Sequence, residues 1–126
     1  MVNKVILIGN VGNDPEVKFL EGGVAVANLS LATSETHKNK NDEKVEQTEW
    51  HRVIFWRGLA EVVEKYVKKG MKLYIEGKLH YSSWEDKNGI KRYAVEIYAD
   101  TMQMFPKHDT DSGNPDSQPL SEKKTK

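Results

Sequence analysis

Residues 48–81 read TEWHRVIFWRGLAEVVEKYVKKGMKLYIEGKLHY and divide into three parts. Residues 48–56 are rich in aromatic and β-branched side chains, which predicts a strand. From residue 59 to 68 apolar residues recur at helical spacing, and Gly70 stands where a short amphipathic helix would end. Residues 72–81 then alternate apolar with polar side chains, as a strand with one buried face does. The segment therefore predicts a strand, a short helix and a second strand.

Strand patterns flank this segment on both sides. Residues 2–8 and 24–33 precede it, with a short candidate at 16–20, and a last strand at about 92–105 follows a hairpin turn at 86–89. Residues 35–46 are polar and predict a mobile loop at a hairpin tip. Five strands with one helix between the third and the fourth is the order of an OB-fold, a five-stranded Greek-key barrel. The predicted fold class is all-β.

Length and composition fit one domain. The chain has 126 residues, enough for a single core, and we expect one OB-fold domain over residues 1–106. After Pro106 the composition becomes polar, which predicts a disordered tail over residues 107–126. No apolar run has the length of a membrane span or a signal-peptide core, and the chain has no cysteine. A cytoplasmic location without membrane contact is therefore expected.

The strand at residues 48–56 carries the main functional signal. Because strand side chains alternate, Trp50, Arg52 and Trp56 share one face, while Val53 and Phe55 share the other and suit the core. An outward face with two tryptophans and an arginine is costly to leave in water unless a ligand covers it. Bases of single-stranded nucleic acid stack on such rings without regard to sequence, and an arginine pairs with phosphate. For any one tryptophan, ordinary packing is the alternative interpretation.

Further candidates extend this surface. Trp84 precedes the predicted turn at 86–89, where a protruding arm is expected. The chain balances 19 Lys and Arg against 19 Asp and Glu, so a nucleic-acid site must be a local basic groove. The basic candidates for phosphate contacts, together with a histidine in the loop that could stack, are Lys4, Lys40, Arg57, Lys69, Lys72, Lys91 and His37.

Signatures of catalysis do not assemble in this sequence. The four histidines lack metal-ligand spacing, and no serine stands in a nucleophile elbow. The glycines at 9 and 12 lack the Lys-Ser/Thr ending of a phosphate loop and predict a turn. We therefore expect no enzymatic activity, no metal and no cofactor.

Four co-linear motifs resemble the bacterial single-stranded DNA-binding proteins: GNVGNDPE at 9–16, ANLSLATS at 27–34, TEWHRV at 48–53 and YIEGKL at 74–79. The resemblance covers about residues 1–105. It implies an OB-fold that assembles as a homotetramer and binds single-stranded DNA without sequence preference in replication, recombination and repair. It also implies that Trp50, Trp56 and Trp84 are the stacking positions. His37 stands where the family carries another stacking aromatic.

The C-terminal end departs from the family pattern. Members typically end in aspartates followed by a small apolar tip that recruits repair and replication enzymes, whereas this sequence ends SEKKTK. Recruitment by that route is therefore not expected. An alternative from another class is an OB-fold accessory module, primosome-like, whose main role is to contact other proteins with weak DNA affinity. A nuclease on the same scaffold would need clustered carboxylates for metal, and the sequence offers none.

Overall fold

A computed structural model describes residues 1–106 and contains six strands and one α-helix within them. A single 3₁₀ turn, Glu21–Gly23, links the second and third strands. The elements in chain order are β1 (Val5–Val11), β2 (Glu16–Phe19), β3 (Ala25–Lys38), β4 (Lys44–Trp56), α1 (Gly58–Tyr66), β5 (Lys72–Glu85) and β6 (Lys91–Met104). The predicted tail, residues 107–126, and the sequence at its end lie outside the described residues.

Five of the strands close into a barrel. The sheet runs β1-β5-β6-β4-β3-β2, and β1 also pairs with β3, so the ring closes through β1 and leaves β2 outside it. All the pairings are antiparallel except that of β4 with β6. The helix follows the third barrel strand and precedes the fourth. This is the OB-fold, and the predicted barrel with one short helix is confirmed.

The barrel interior is filled from alternate positions of its strands. Leu29 and Leu31 from β3, Phe55 from β4 and Leu73 and Ile75 from β5 are all fully buried. Helix α1 adds Ala60 and Val63 from one face to the same core, as its amphipathic spacing predicted. Phe55 and Val53 therefore lie in the core, and the neighbouring even-numbered side chains of β4 point outward.

Two hairpins extend beyond the barrel, and we call them the β3–β4 arm (residues 34–48) and the β5–β6 arm (residues 80–96). Residues 35–46 were expected to form a loop, but β3 continues to Lys38 and β4 begins at Lys44. The difference has a physical reason: a two-stranded ribbon with water on both faces satisfies its backbone by pairing and needs no apolar residues. In the tight turn, the Asn39 side-chain oxygen accepts the backbone N–H groups of Asn41 and Glu43.

The turn at the tip of the β5–β6 arm was predicted from residues 86–89. One carboxylate oxygen of Asp86 accepts the backbone N–H groups of Asn88 and Ile90 at 2.9 and 3.0 Å, and Gly89 adopts a φ of 78°. Such a φ favours glycine. The arm thus ends where the sequence indicated, and its two strands stay paired from the barrel to Glu85 and Lys91.

Candidate nucleic-acid interface

The outer face of β4 presents the residues that alternation placed there. Trp50 is 62% exposed, the Arg52 side chain is 57% exposed, and Trp56 is half-buried. Ile54 shares this face but is only 7% exposed, since Asn28 of β3 and Tyr98 of β6 lie opposite it. The exposed apolar surface is therefore mainly that of the aromatic rings.

The Trp50 indole rests on the loop that follows β1. A Cβ atom built on Gly12 would lie 3.0 Å from the Trp50 Cη2 atom, and closer still to Cζ3. Gly12 is fixed there because its N–H donates to the Ser30 carbonyl at 2.8 Å. The residue opposite Trp50 on β3 is the small Ala32. The Trp50 ring therefore packs against Gly12, where only a glycine leaves it room. The sequence indicated a turn at this glycine and did not indicate this contact.

Trp56 takes part in an aromatic row across three strands. Its ring meets Tyr98 of β6 edge to face, with centroids 5.8 Å apart and planes at 68°, and Tyr98 stacks on His80 of β5 at 4.3 Å and 18°. The Trp56 Nε1 atom is buried and has no hydrogen-bond partner within residues 1–106. Trp56 is therefore packed more closely than Trp50. We call Trp56, Tyr98 and His80 the aromatic row.

The sequence interpretation did not include Tyr98 or His80 in the site. Strand alternation placed His80 on the polar side of β5, which is the one signal that could have found it. Tyr98 becomes a neighbour of Trp56 only through the parallel pairing of β4 with β6. A pairing between strands so far apart in the chain has no local sequence signature.

Trp84 lies on the β5–β6 arm and is 50% exposed. It shares strand parity with His80, so both rings project from the same side of β5. Arg92 lies opposite Trp84 on β6, and its Nε atom is 2.9 Å from an Asp86 carboxylate oxygen. Lys91, one of the basic candidates, has the opposite parity and lies across from Glu85, so Arg92 is the cation on the Trp84 side.

The other basic candidates are spread over several surfaces. Lys72 belongs to a cross-strand row that runs through Asn10 and Ala32 to Trp50. The Arg52 Nε atom lies 3.2 Å from a Glu96 carboxylate oxygen. The positions of the remaining ones also differ: Arg57 directly follows Trp56, Lys69 lies between α1 and β5, and Lys40 is in the turn of the β3–β4 arm.

Lys4 and His37 lie away from the Trp50 surface. The Lys4 ammonium is 2.9 Å from a Glu76 carboxylate oxygen, and this bond raises the pKa of Lys4. The Tyr74 hydroxyl also donates to Glu76, and these two bonds hold the Glu76 pKa below its ordinary value. His37 lies opposite Val45 and has the strand parity of core residues, so it points to the other side of the β3–β4 arm from Trp50.

One basic residue missed by the sequence interpretation lies in the same cross-strand row as Trp56. Lys18 of β2 is opposite Val26, which is in turn opposite Trp56, so the three side chains form a row on the outer face. Lys18 is exposed. It adds a positive charge to the end of β4 at which Arg57 also lies.

Residues 1–106 contain neither a candidate metal site nor a membrane-spanning helix. No three side chains of histidine, cysteine, aspartate or glutamate are grouped so that they could hold a metal ion there. Within the same residues, no helix is both long and apolar enough to cross a membrane.

A closed OB-fold barrel whose outer face carries an exposed tryptophan, a half-buried one and an arginine is typical of the OB-fold domains that bind single-stranded nucleic acid. The chain belongs to the single-strand binding protein family, whose model matches residues 2–105. It is similar to the SSB of Plasmodium falciparum in its complex with ssDNA, with a TM-score of 0.79 and 33% identity, covering 84% of this chain and 97% of that one. It is also similar to a deletion mutant of the single-stranded DNA binding protein from Thermus aquaticus. There the TM-score is 0.73 and the identity 28%, over 83% of this chain and 51% of that chain, so this chain spans about half its length.

Proposed function

We propose that the protein binds and protects single-stranded DNA without sequence preference, by stacking bases on Trp50, Trp56 and Trp84. The observation that supports this proposal most directly is that the Trp50 indole is 62% exposed and packs against Gly12. A ring that packs against Gly12 and stays open to water offers a π-face that any base can cover, and each stacked base contributes roughly 1–3 kcal/mol. Membership of the single-strand binding protein family supports the same ligand.

The proposed phosphate contacts come from a small number of cations around these rings. Arg52 lies between the two tryptophans of β4, Arg57 and Lys18 lie at one end of that strand, and Lys72 belongs to the row that ends at Trp50. Arg52 also faces Glu96, so a phosphate would have to compete with that carboxylate. Because the chain has no net charge, stacking carries more of the affinity here than in a strongly basic protein.

The biological role follows from the ligand. A non-catalytic protein that covers unpaired bases would act in the cytoplasm wherever DNA is opened, in replication, recombination and repair. Residues 1–106 would form the binding domain, and residues 107–126 would lie outside it.

A homotetramer is part of the proposal, and an uncovered apolar surface supports self-association. Ile6 and Ile8 of β1 point outward and are 56% and 50% exposed. Burial of these two isoleucines against a second copy would favour association by about 25 cal/mol for each Å² of apolar surface removed from water. Sedimentation velocity should show a species of four chains, and a monomer at micromolar concentration would contradict this part.

The ligand is tested by equilibrium binding to fluorescent oligonucleotides. We expect oligo-dT and mixed-sequence single strands to bind, the duplex of the same sequence to bind far more weakly, and the logarithm of the affinity to fall linearly with the logarithm of the salt concentration. The DNA should remain intact in magnesium. Equal affinity for duplex, or no binding at low salt, would contradict the proposal and favour a module that contacts proteins.

A further inference from the structure

Three side chains form a row across neighbouring strands on the outer face of the barrel. Arg52 of β4 lies opposite Glu96 of β6, and Glu96 lies opposite His80 of β5. The row begins on β4 between Trp50 and Trp56, in the middle of the proposed DNA surface. It places one carboxylate between a guanidinium and an imidazole, and we call it the Arg52–Glu96–His80 row.

The carboxylate of Glu96 is paired with Arg52. The Arg52 Nε atom lies 3.2 Å from a Glu96 carboxylate oxygen, and the two side chains differ in their access to water. That of Arg52 is 57% exposed, whereas that of Glu96 is only 17% exposed. A phosphate can therefore reach Arg52 from solvent, and Glu96 has little contact with water that could replace the lost partner.

Displacement from Arg52 leaves the charge of Glu96 without a partner. A mostly buried carboxylate in that state is costly, because water does not compensate for the lost ion pair. His80 is placed to supply the missing charge. Residues directly opposite each other in an antiparallel pair have Cβ atoms about 4.5–5.5 Å apart, so rotation of the Glu96 side chain brings its carboxylate to the imidazole.

The surroundings of His80 favour this exchange. Its ring stacks on Tyr98 at 4.3 Å with the planes at 18°, which fixes its orientation. The charged or titratable groups around it are Glu96 and Tyr98 of β6, Lys78 of β5 and, beyond Glu96, Arg52 of β4. Lys78 is exposed and lies opposite Tyr98, in the next row along the same face. The imidazole is therefore the group directly across from the Glu96 carboxylate.

We infer that Glu96 moves from Arg52 to His80 when a DNA phosphate binds Arg52, and that His80 takes up a proton from solvent in this exchange. The charges then balance, since the phosphate is paired with the guanidinium and the carboxylate with the imidazolium. Histidine is the side chain type that gains its charge near neutral pH. The inference rests on the proposed function, because it needs a phosphate on the outer face of β4. It gives Glu96 and His80 a part in setting the affinity for DNA.

Uptake of a proton makes the affinity depend on pH. Acid favours the bound state, and uptake of one whole proton raises the affinity about ten-fold per pH unit. We expect the oligo-dT affinity of the unmodified protein to rise about three-fold or more from about pH 8 to about pH 6, where histidine titrates. Calorimetry in two buffers of different ionisation enthalpy should detect the same proton uptake without any substitution.

Two histidine variants assign the proton. His80→Phe keeps an aromatic ring beside Tyr98 but cannot be protonated, so its affinity should match that of the unmodified protein at about pH 8 and lack the rise in acid. His37→Phe is the control, because His37 lies on the β3–β4 arm, away from the row. It should keep the rise. Thermal melting of each variant checks the fold.

Two carboxylate variants test the other half of the exchange. Glu96→Gln frees Arg52 at every pH, so we expect its affinity at about pH 8 to be about three-fold higher than that of the unmodified protein, with most of the rise in acid lost. Glu49→Gln removes the same charge from the opposite face of β4 and should keep the rise.

A rise that persists in Glu96→Gln would mean that His80 acts on DNA directly, and would overturn the exchange. So would a rise that persists in His80→Phe, or the absence of both a rise and proton uptake in an unmodified protein that binds oligo-dT. All three results leave the proposed function standing. Absence of oligo-dT binding by the unmodified protein would instead overturn the proposed function.

Discussion

The ring of Trp50 occupies the space that a side chain on Gly12 would need. Gly12 shows no positive φ, so its lack of a side chain matters for space and not for backbone freedom. The two residues belong to different segments, the loop after β1 and the middle of β4, and the hydrogen bond from Gly12 to Ser30 holds that loop against β3. The orientation of an exposed ring is therefore set by a residue that need not touch DNA.

Replacing Gly12 should weaken DNA binding by moving the Trp50 ring. In Gly12→Ala the new methyl group displaces the indole from its position against Gly12. We expect a loss of about 1 kcal/mol or more of binding free energy, which is the lower end of the range for one stacked base. Gly58→Ala is the matched control, because nothing lies within 4 Å of a Cβ there. It should leave DNA binding unchanged and stabilise the first turn of α1 slightly. Similar affinities for the two variants would show that Gly12 does not position the ring.

Substitution of Trp50 should affect DNA affinity, whereas substitution of Phe55 should affect the stability of the fold. Trp50→Ala removes an exposed ring, so we expect oligo-dT affinity to fall by roughly 1–3 kcal/mol while the melting temperature changes little. Phe55→Ala removes a fully buried ring and should lower the free energy of unfolding by about 3–5 kcal/mol. Chemical denaturation and fluorescence anisotropy measure the two quantities. An unfolded Trp50→Ala protein, or an unchanged Phe55→Ala protein, would reverse the assignment of the two faces.

Arg57 is held in a backbone conformation that favours glycine, with φ 58° and ψ −126°, while the next residue is a glycine without positive φ. Arg57→Gly should therefore stabilise the fold by about 1–2 kcal/mol, and it should weaken DNA binding because the cation beside Trp56 is lost. The double variant Arg57→Gly/Gly58→Arg keeps the composition and the charge. It should retain the gain in stability and recover part of the binding. Thermal melting that shows no gain for either variant would contradict the strain at Arg57.

Acid should destabilise the barrel partly through Glu76. The hydroxyl of Tyr74 and the ammonium of Lys4 bind its carboxylate and lower its pKa below the ordinary value of 4.5. A lowered pKa contributes stability that is present above pH 4.5 and is lost as the pH falls through the folded-state value. Glu76→Gln should therefore melt at a lower temperature than the unmodified protein at pH 7, and the difference should shrink in acid.

Glu64→Gln, on the exposed side of α1, is the control for the loss of one negative charge. Its melting curves should follow those of the unmodified protein at each pH. A Glu76→Gln difference that stays constant down to pH 2 would mean that the carboxylate contributes nothing through its charge.

The local sequence predicted the fold and the central strand of the site, because both depend on alternation and on the order of elements. Phe55 and Val53 point inward while Trp50 and Trp56 point outward, as strand parity in residues 48–56 indicated. The hairpin arm under Trp84 was likewise inferred from a single turn and is present. Each of these features is set by residues close together in the chain.

The remaining features depend on contacts between distant segments. Tyr98 neighbours Trp56 because β4 pairs with β6 in parallel, and the register of β5 and β6 places Arg92 opposite Trp84 and Lys91 opposite Glu85. That register shifts between Glu76 and Gly77, where β6 carries one extra residue. The length of the β3–β4 arm was underestimated because its paired strands bury little. Periodicity within one segment does not contain this information.

The most direct measurement of the central claim is a tryptophan fluorescence titration with oligo-dT at low salt. If bases stack on Trp50, Trp56 and Trp84, the emission should be quenched to saturation, the quenching should reverse on addition of salt, and Trp50→Ala should reduce its amplitude. Emission that stays constant while anisotropy reports bound DNA would place the DNA elsewhere and contradict the account.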